Sequence, residues 1–245
     1  MLTPDLSGRT ASVTGSAGGV GAALCETLAS RGADVGVHYN RSETAAEQVV
    51  TELRETGVES TAVRGDVTDP AAVDGLFDAV ERVLGRVDIL VNNVGTFAPS
   101  HWEAIDWERW QRVTESNYYG TVLCSRRALA GMREQRWGRI VNLGYASSDK
   151  GLVSPVNFPY FVAKAGVLMF TRMLAADTQE DGVTVNAISP YVLESSEAFP
   201  SDAPRGRWAT TDDLAQALLV FCDPDSGYIS GQNLDVDGGW LPETV

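Results

Sequence analysis

The sequence predicts one α/β unit, a doubly wound, seven-stranded parallel sheet with helices on both faces. Three observations carry this expectation. Short β-branched runs alternate with longer helical patterns along all 245 residues. One of these runs, Val87-Asp88-Ile89-Leu90-Val91, is apolar enough to be covered on both faces, as strands of parallel sheets are. A glycine-rich turn, Thr14-Gly15-Ser16-Ala17-Gly18-Gly19-Val20-Gly21, joins the first such run to the first helical pattern.

Taken in order, Arg9 to Thr14 reads as the first strand and Val20 to Arg31 as a helix stopped by Gly32. Asp34 to Tyr39 is the second strand, and Glu43 to Thr56 the helix that ends at Gly57. Val58 to Arg64, Ala71 to Leu84 and Val87 to Asn92 repeat the strand, helix, strand theme. A long helical region follows to about Arg136, then a strand from Arg139 to Leu143 and a helix from Tyr160 to Thr178. Val183 to Ile188, Thr211 to Phe221 and Gln232 to Val236 complete the pattern as strand, helix and strand. No Pro/Gly/Ser-rich linker divides the chain, so residues 1–245 read as a single domain.

Bulk properties exclude several classes. A formal charge of −14 repels nucleic acid and anionic membrane surfaces, so neither is expected as a partner. Three widely spaced cysteines, Cys25, Cys124 and Cys222, form no Cys-x-x-Cys pair, and only two histidines are present, so no metal site is expected. The start of the chain lacks a basic region followed by an apolar run, and no stretch has membrane-spanning length. A cytoplasmic location is the expectation.

The glycine turn has the composition of a dinucleotide site. A strand that runs through glycines into a helix aims backbone N–H groups and the positive end of a helix dipole at a pyrophosphate. Gly15 suits the tight turn, Gly19 the close approach and Gly21 the packing of helix on strand. A structural turn without a ligand would use the same residues, but this one stands where the motif must lie in a Rossmann fold. Far downstream, Tyr160 and Lys164 lie four apart, so a helix sets both on one face. A free tyrosine has a pKa of about 10, too high for ready proton exchange near neutrality. A neighbouring ammonium, helped by the positive charge of an oxidised nicotinamide, favours the phenolate, so the pair is expected to make an acidic phenol.

With these residues in view, the Thr-Gly-x-x-x-Gly-x-Gly spacing resembles that of the short-chain dehydrogenase/reductase family, over nearly the whole chain. Asn92-Asn93-Val94-Gly95 is similar to the family's Asn-Asn-Ala-Gly, Asp66-Val67 to its adenine-contacting pair, and Asp237-Gly238-Gly239 to its C-terminal signature. Ser189-Pro190-Tyr191-Val192 resembles the Pro-Gly segment that holds the nicotinamide amide, with Tyr191 where glycine is usual and Val192 as the backbone contact. The resemblance implies a reductase with Tyr160 as general acid, Lys164 on the nicotinamide ribose, and Asn117 completing a water-linked proton relay. It also implies cofactor contacts from Gly15, Ser16, Gly19, Val20, Gly21, Asp66, Val67, Asn93, Gly95, Tyr160, Lys164, Pro190 and Val192. The family's usual serine is ambiguous. Counting from the fifth strand puts Tyr145 at its position, while counting back from Tyr160 gives Ser147.

The end of the second strand, Asn40-Arg41-Ser42, carries no acid. Arg41 can fork onto a 2′-phosphate and Ser42 can add a hydroxyl, so the expected cofactor is NADPH/NADP. Residues 193–210 form a short substrate lid, shorter than is usual in acyl-carrier-protein reductases of this family. Phe97, Tyr145, Phe158, Tyr191 and Trp208 are expected around its mouth, where aromatic faces suit a flat substrate. The leading expectation is therefore an NADPH-dependent ketoreductase for a bulky cyclic or aromatic metabolite. The alternatives are a 3-oxoacyl-acyl-carrier-protein reductase and a pteridine or imine reductase, which the His38 to Ser42 run and Phe97 resemble, although an acid usually stands where Tyr145 does. A non-catalytic NADP sensor is a further alternative. The region from Ala104 to Arg136, with Trp107 and Trp110, is the expected interface of a homo-oligomer, tetramer or dimer.

Overall fold

The computed structural model describes residues 3–146, 148, 156–196 and 203–240. Seven strands form one sheet: β1 (Thr10–Val13), β2 (Asp34–Tyr39), β3 (Ser60–Arg64), β4 (Ile89–Asn92), β5 (Gly138–Leu143), β6 (Val183–Pro190) and β7 (Asn233–Val236). Their order is β3-β2-β1-β4-β5-β6-β7, and every pairing is parallel. The order reverses between β1 and β4, which opens a crevice at the carboxyl ends of those two strands. The glycine turn leaves one side of this crevice and Asn93-Val94-Gly95 the other.

Parallel strands need crossovers, and helices supply them on both faces. One face is covered by α1 (Gly19–Ala29), α2 (Glu43–Glu55) and α7 (Thr211–Cys222), which bury Leu24, Leu28, Leu53 and Leu218 against Val13, Val37 and Val141. The other is covered by α3 (Pro70–Leu84), α5 (Gly120–Gln135) and α6 (Phe158–Asp177), where Phe77, Val80 and Met132 pack with Leu90, Ile140 and Val185. Ile140 and Val141 are neighbours in β5 that face opposite layers, as strand alternation requires. Each fully buried side chain of this size contributes roughly 1.5–3 kcal/mol.

The long helical region is divided. It becomes a 3₁₀ turn (Trp102–Ala104), α4 (Trp107–Thr114) capped by the Asp106 carboxylate, a π turn (Glu115–Tyr119) and then α5. The extra residue of the π turn bends the helix inward at Asn117, which is fully buried. The helix after the fifth strand starts at Phe158, two residues earlier than expected, because Asn157 takes a left-handed conformation (φ 62°) and ends the preceding loop there. Its main-chain N–H donates to the Ser100 oxygen, and its side-chain oxygen accepts from Ala98 N–H at 3.0 Å. Asn157 thus ties the loop after β4 to the start of α6.

Candidate active site

The turn after β1 is held from two sides. Gly15 has φ +66° and Gly19 φ +56°, a region that L side chains rarely adopt. The Gly15 N–H donates to Nδ1 of His38 at 2.8 Å, and its carbonyl accepts from Asn93 Nδ2 at 3.0 Å. A Cβ on Gly21 would press on the Gly15 carbonyl oxygen and stand 2.7 Å from the Ser16 Cα, so only glycine allows α1 to start this close to the strand. No side chain caps the first turn of α1. Its N–H groups, with the dipole behind them, remain available to a pyrophosphate, which fits a dinucleotide.

These bonds refine two expected contacts. Gly15 shapes the turn, and its amide is already engaged by His38. Ser16 is buried, and its hydroxyl donates inward to the Val13 oxygen at 2.7 Å and accepts from His38 N–H at 3.0 Å. Gly19, half-buried Val20 and Gly21 line the start of the helix. Asn93 serves the turn rather than pointing away from it: its amide reaches the Thr14 and Gly15 oxygens, and its N–H finds the Thr14 hydroxyl.

Asn40, Arg41 and Ser42 are exposed past β2. Asn40 donates to the Asp66 carboxylate at 3.3 Å, and the Arg64 guanidinium donates to the Asn40 carbonyl at 3.3 Å. Arg64 therefore joins Arg41 on this rim. In the sequence Arg64 is only the last residue of a strand, and the β2–β3 register, Tyr39 opposite Arg64, brings it to this rim. Asp66 accepts from the hydroxyl and the N–H of Thr68, which together hold its carboxyl below the usual range. Val67 is buried against Gly120, and a Cβ on Gly95 would press on the Asn117 side-chain oxygen.

The Tyr160 and Lys164 side chains come from adjacent turns of α6. Lys164 is 4% exposed, and its ammonium donates to the Leu143 carbonyl at the end of β5 at 2.6 Å. Burial pulls its pKa down to about 8. The ammonium lies 5.6 Å from the centre of the Tyr160 ring. The ammonium alone does not make this phenol acidic. Burial, followed by the neighbouring Tyr145 phenol, pushes Tyr160 well above the ordinary tyrosine range. Desolvation of the phenolate outweighs the attraction of an ammonium that is turned toward Leu143.

Asn117 donates from Nδ2 to the Thr96 and Val113 oxygens at 2.8 and 2.9 Å, while its buried Oδ1 has no partner among the described residues. An orphaned acceptor at this depth costs about 1–3 kcal/mol unless a water or ligand donates to it, which suits the relay implied by the family resemblance. Ser147 lies outside the described residues. Tyr145 is half-buried, and burial raises its phenol to about 12.

The aromatic residues divide into two groups. Phe97 meets Tyr160 edge-on with ring centres 5.0 Å apart, and Tyr145 meets Tyr160 at 5.8 Å. The row continues from Tyr145 to Tyr191 at 6.4 Å and from Tyr191 to a stacked Trp240 at 3.9 Å. Phe158 instead packs with Trp102 and Trp110, at 6.4 and 6.0 Å, in a separate cluster. Trp208 sits beside Ala209, whose N–H donates to the Val192 oxygen and whose oxygen accepts from Glu194. Trp240 and Phe161, which meets Tyr145 at 5.2 Å, were not expected from the sequence. Trp240 directly follows Asp237-Gly238-Gly239, and that adjacency was the available signal.

At the end of β6, the Pro190 oxygen accepts from Ala146 N–H at 2.9 Å, and Val192 is buried. A cavity of about 580 Å³ borders Tyr191, Val192, Arg205, Asp213 and Asp237 but is not lined by Tyr160, Lys164 or Asn117. Among the described residues no cluster of His, Cys, Asp and Glu could hold a metal ion, and no helix is long and apolar enough to cross a membrane.

Comparison with known proteins agrees with this geometry. A family model described as enoyl-(acyl carrier protein) reductase matches residues 15–241. A 3-oxoacyl-[acyl-carrier-protein] reductase of Synechocystis is 34% identical over 244 residues, covering 96% of this chain and 98% of its own. A 3beta-hydroxysteroid dehydrogenase 1 of Eggerthella lenta is also 34% identical, over 96% of this chain and 94% of its own. A gluconate 5-dehydrogenase of Burkholderia cenocepacia, solved with NADP and tartrate, superposes with a TM-score of 0.88 at 30% identity, covering 96% of this chain and 95% of its own. The glycine turn at the β1/β4 crevice, the Tyr160–Lys164 pair on α6 and these relatives together make the chain an oxidoreductase of the short-chain dehydrogenase/reductase family, which works with a nicotinamide cofactor.

Proposed function

We propose that this enzyme reduces the carbonyl of a bulky cyclic or aromatic metabolite with NADPH, Tyr160 acting as general acid. The observation that carries the reading is the aromatic row Phe97, Tyr160, Tyr145, Tyr191 and Trp240, in which the Tyr160 phenol stands one helical turn from Lys164. Bound NADPH supplies the hydride. Tyr160 donates its proton to the substrate oxygen as negative charge develops there, and its high pKa in the protein alone keeps that proton in place until then. Lys164 holds the ribose and its positive charge stabilises the phenolate left behind. Asn117 Oδ1 accepts from a water that leads protons back toward Lys164. Ser147 or the Tyr145 hydroxyl donates the second hydrogen bond to the substrate oxygen. Arg41, with Ser42 and Arg64, favours NADPH over NADH through its fit to a 2′-phosphate.

The names of relatives favour a second reading, reduction of a 3-oxoacyl thioester on a carrier protein. The two separate on one assay. Consumption of NADPH with aromatic and cyclic ketones, quinones and pterins is compared with that on 3-oxoacyl thioesters, with Tyr160→Phe as control. Turnover confined to the thioesters would replace the first reading with the second. Tight NADPH binding without turnover on any of them would favour a sensor.

The enzyme is further proposed to be a cytoplasmic homo-oligomer, tetramer or dimer. Exposed apolar side chains on α4 to α6, Trp107, Tyr119, Val162, Met169 and Met173, support that reading and extend the expected interface onto α6. Sedimentation tests it, and a monomer at micromolar concentration would overturn it.

A further inference from the structure

His38 is a buried titratable group, 2% exposed, that the proposed reaction does not use. It lies one residue before the end of β2, beside the glycine turn, and makes four bonds there. Its main-chain N–H donates to the Ser16 hydroxyl at 3.0 Å, and its carbonyl accepts from the Ser16 N–H at 2.9 Å. Its Nδ1 accepts from the Gly15 N–H at 2.8 Å, and its Nε2 faces the Gly65 carbonyl at 3.1 Å. These ring contacts allow one protonation state. A main-chain N–H can only donate, so Nδ1 carries no proton. A carbonyl can only accept, so Nε2 carries one. An imidazolium would set an N–H against the N–H of Gly15.

We propose that neutral His38 is a positioning residue that fixes the cofactor turn by accepting the Gly15 N–H, and that its protonation releases the turn and weakens dinucleotide binding in acid. The proposal rests on the reading that this turn binds a dinucleotide. Gly15 is the hinge of the turn: without a Cβ it has no steric preference for its φ of +66°, so its two hydrogen bonds select that conformation. Asn93 holds the carbonyl from β4, and His38 holds the amide from β2. Removing one hold frees Gly15 to rotate, and the start of α1 then loses its aim at the pyrophosphate.

The charges around the ring are few. The turn offers the hydroxyls of Thr14 and Ser16 and no charge. From the β3 side come the Gly65 carbonyl and the Asp66 carboxylate, which favours the imidazolium, while Arg64 reaches the Asn40 carbonyl. Burial opposes Asp66 and wins, so the ring titrates below its ordinary value and stays neutral near pH 7. Affinity is therefore flat at neutral pH and falls once the pH drops below the lowered value.

The test uses the whole protein with NADPH and NADH, followed by nicotinamide fluorescence from pH 5 to 8. In ¹⁵N spectra, where His101 is the only other histidine, His38 should show an unprotonated Nδ1 and a protonated Nε2. His38→Ala should weaken both dinucleotides about tenfold by the same factor, because the turn lies away from the 2′-position, and should raise the cofactor KM with little change in kcat. His38→Asn, whose Oδ1 can take the place of Nδ1, should restore binding to within about threefold and abolish the acid limb. A protonated Nδ1, unchanged affinity in His38→Ala, or an acid limb that persists in His38→Asn (which assigns it to Asp66) would each overturn the proposal. Failure of the unmodified protein to bind either dinucleotide at any pH would instead overturn the cofactor-site reading, and the ¹⁵N signals would still report the state of the ring.

Discussion

The Lys164 ammonium donates a hydrogen bond to the Leu143 carbonyl at 2.6 Å, so the end of β5 and the second turn of α6 are locked together by one buried charge-assisted bond. A chain of side-chain bonds reinforces that register. Asn92 donates to the Ser125 hydroxyl and to the Asn142 oxygen, and Asn142 donates to the Thr171 hydroxyl two turns beyond Lys164. Sheet, α5 and α6 are thereby fixed relative to one another before any substrate arrives.

The lowered Lys164 value sets a stability window. A lysine with a folded pKa of about 8 and an ordinary value of 10.5 is charged more readily unfolded than folded between those limits. Its contribution is complete above pH 10.5 and is lost as the pH falls through about 8. The difference is on the order of 3 kcal/mol. Urea unfolding of the wild type against Lys164→Met should show this pH-dependent term in the wild type alone. Parallel curves would refute it.

Turnover should answer to the same two residues differently. Tyr160→Phe removes the proton donor and should lower kcat by about 10²–10⁴-fold while NADPH affinity stays within about threefold. Lys164→Arg should rescue little, because a forked guanidinium cannot take the place of an ammonium on the Leu143 carbonyl and the ribose. Stopped-flow NADPH oxidation measures both.

Ser147→Ala and Tyr145→Phe decide which hydroxyl meets the substrate oxygen. The one that does should cost about 10–10³-fold in kcat, in the range of a lost oxyanion donor or somewhat below it. The other change should be nearly silent. If neither slows turnover, the site works without a second donor.

Gly21→Ala should abolish measurable dinucleotide binding, because the new methyl meets the Gly15 carbonyl and the Ser16 Cα, both backbone atoms that cannot move aside. Gly18→Ala, at a position with open space around it, should bind normally. Fluorescence titration of the two variants is the measurement.

Arg41→Ala and Arg64→Ala together should raise the NADPH Kd about tenfold or more and leave the NADH Kd unchanged, each charge-assisted bond being worth about 1.5–3 kcal/mol. Equal losses for both cofactors would remove the 2′-phosphate reading.

The positions of strands and helices were legible because a buried parallel sheet demands apolar runs and its crossovers demand amphipathic helices. The glycine turn and the Tyr160–Lys164 pair were legible because their chemistry is local, set by φ angles and by one helical turn. The π turn at Asn117, the grip of His38 on Gly15, the approach of Arg64 to Asn40 and the stacking of Trp240 on Tyr191 were not. Each joins residues from separate elements, and strand order and register bring them together. The Tyr160 phenol shows the same division. Spacing determined that an ammonium would share its helix face, but burial and the neighbouring Tyr145 phenol, supplied by other strands and loops, raise the phenol in the protein alone. Desolvation depends on everything packed around a group, and no window of sequence contains that.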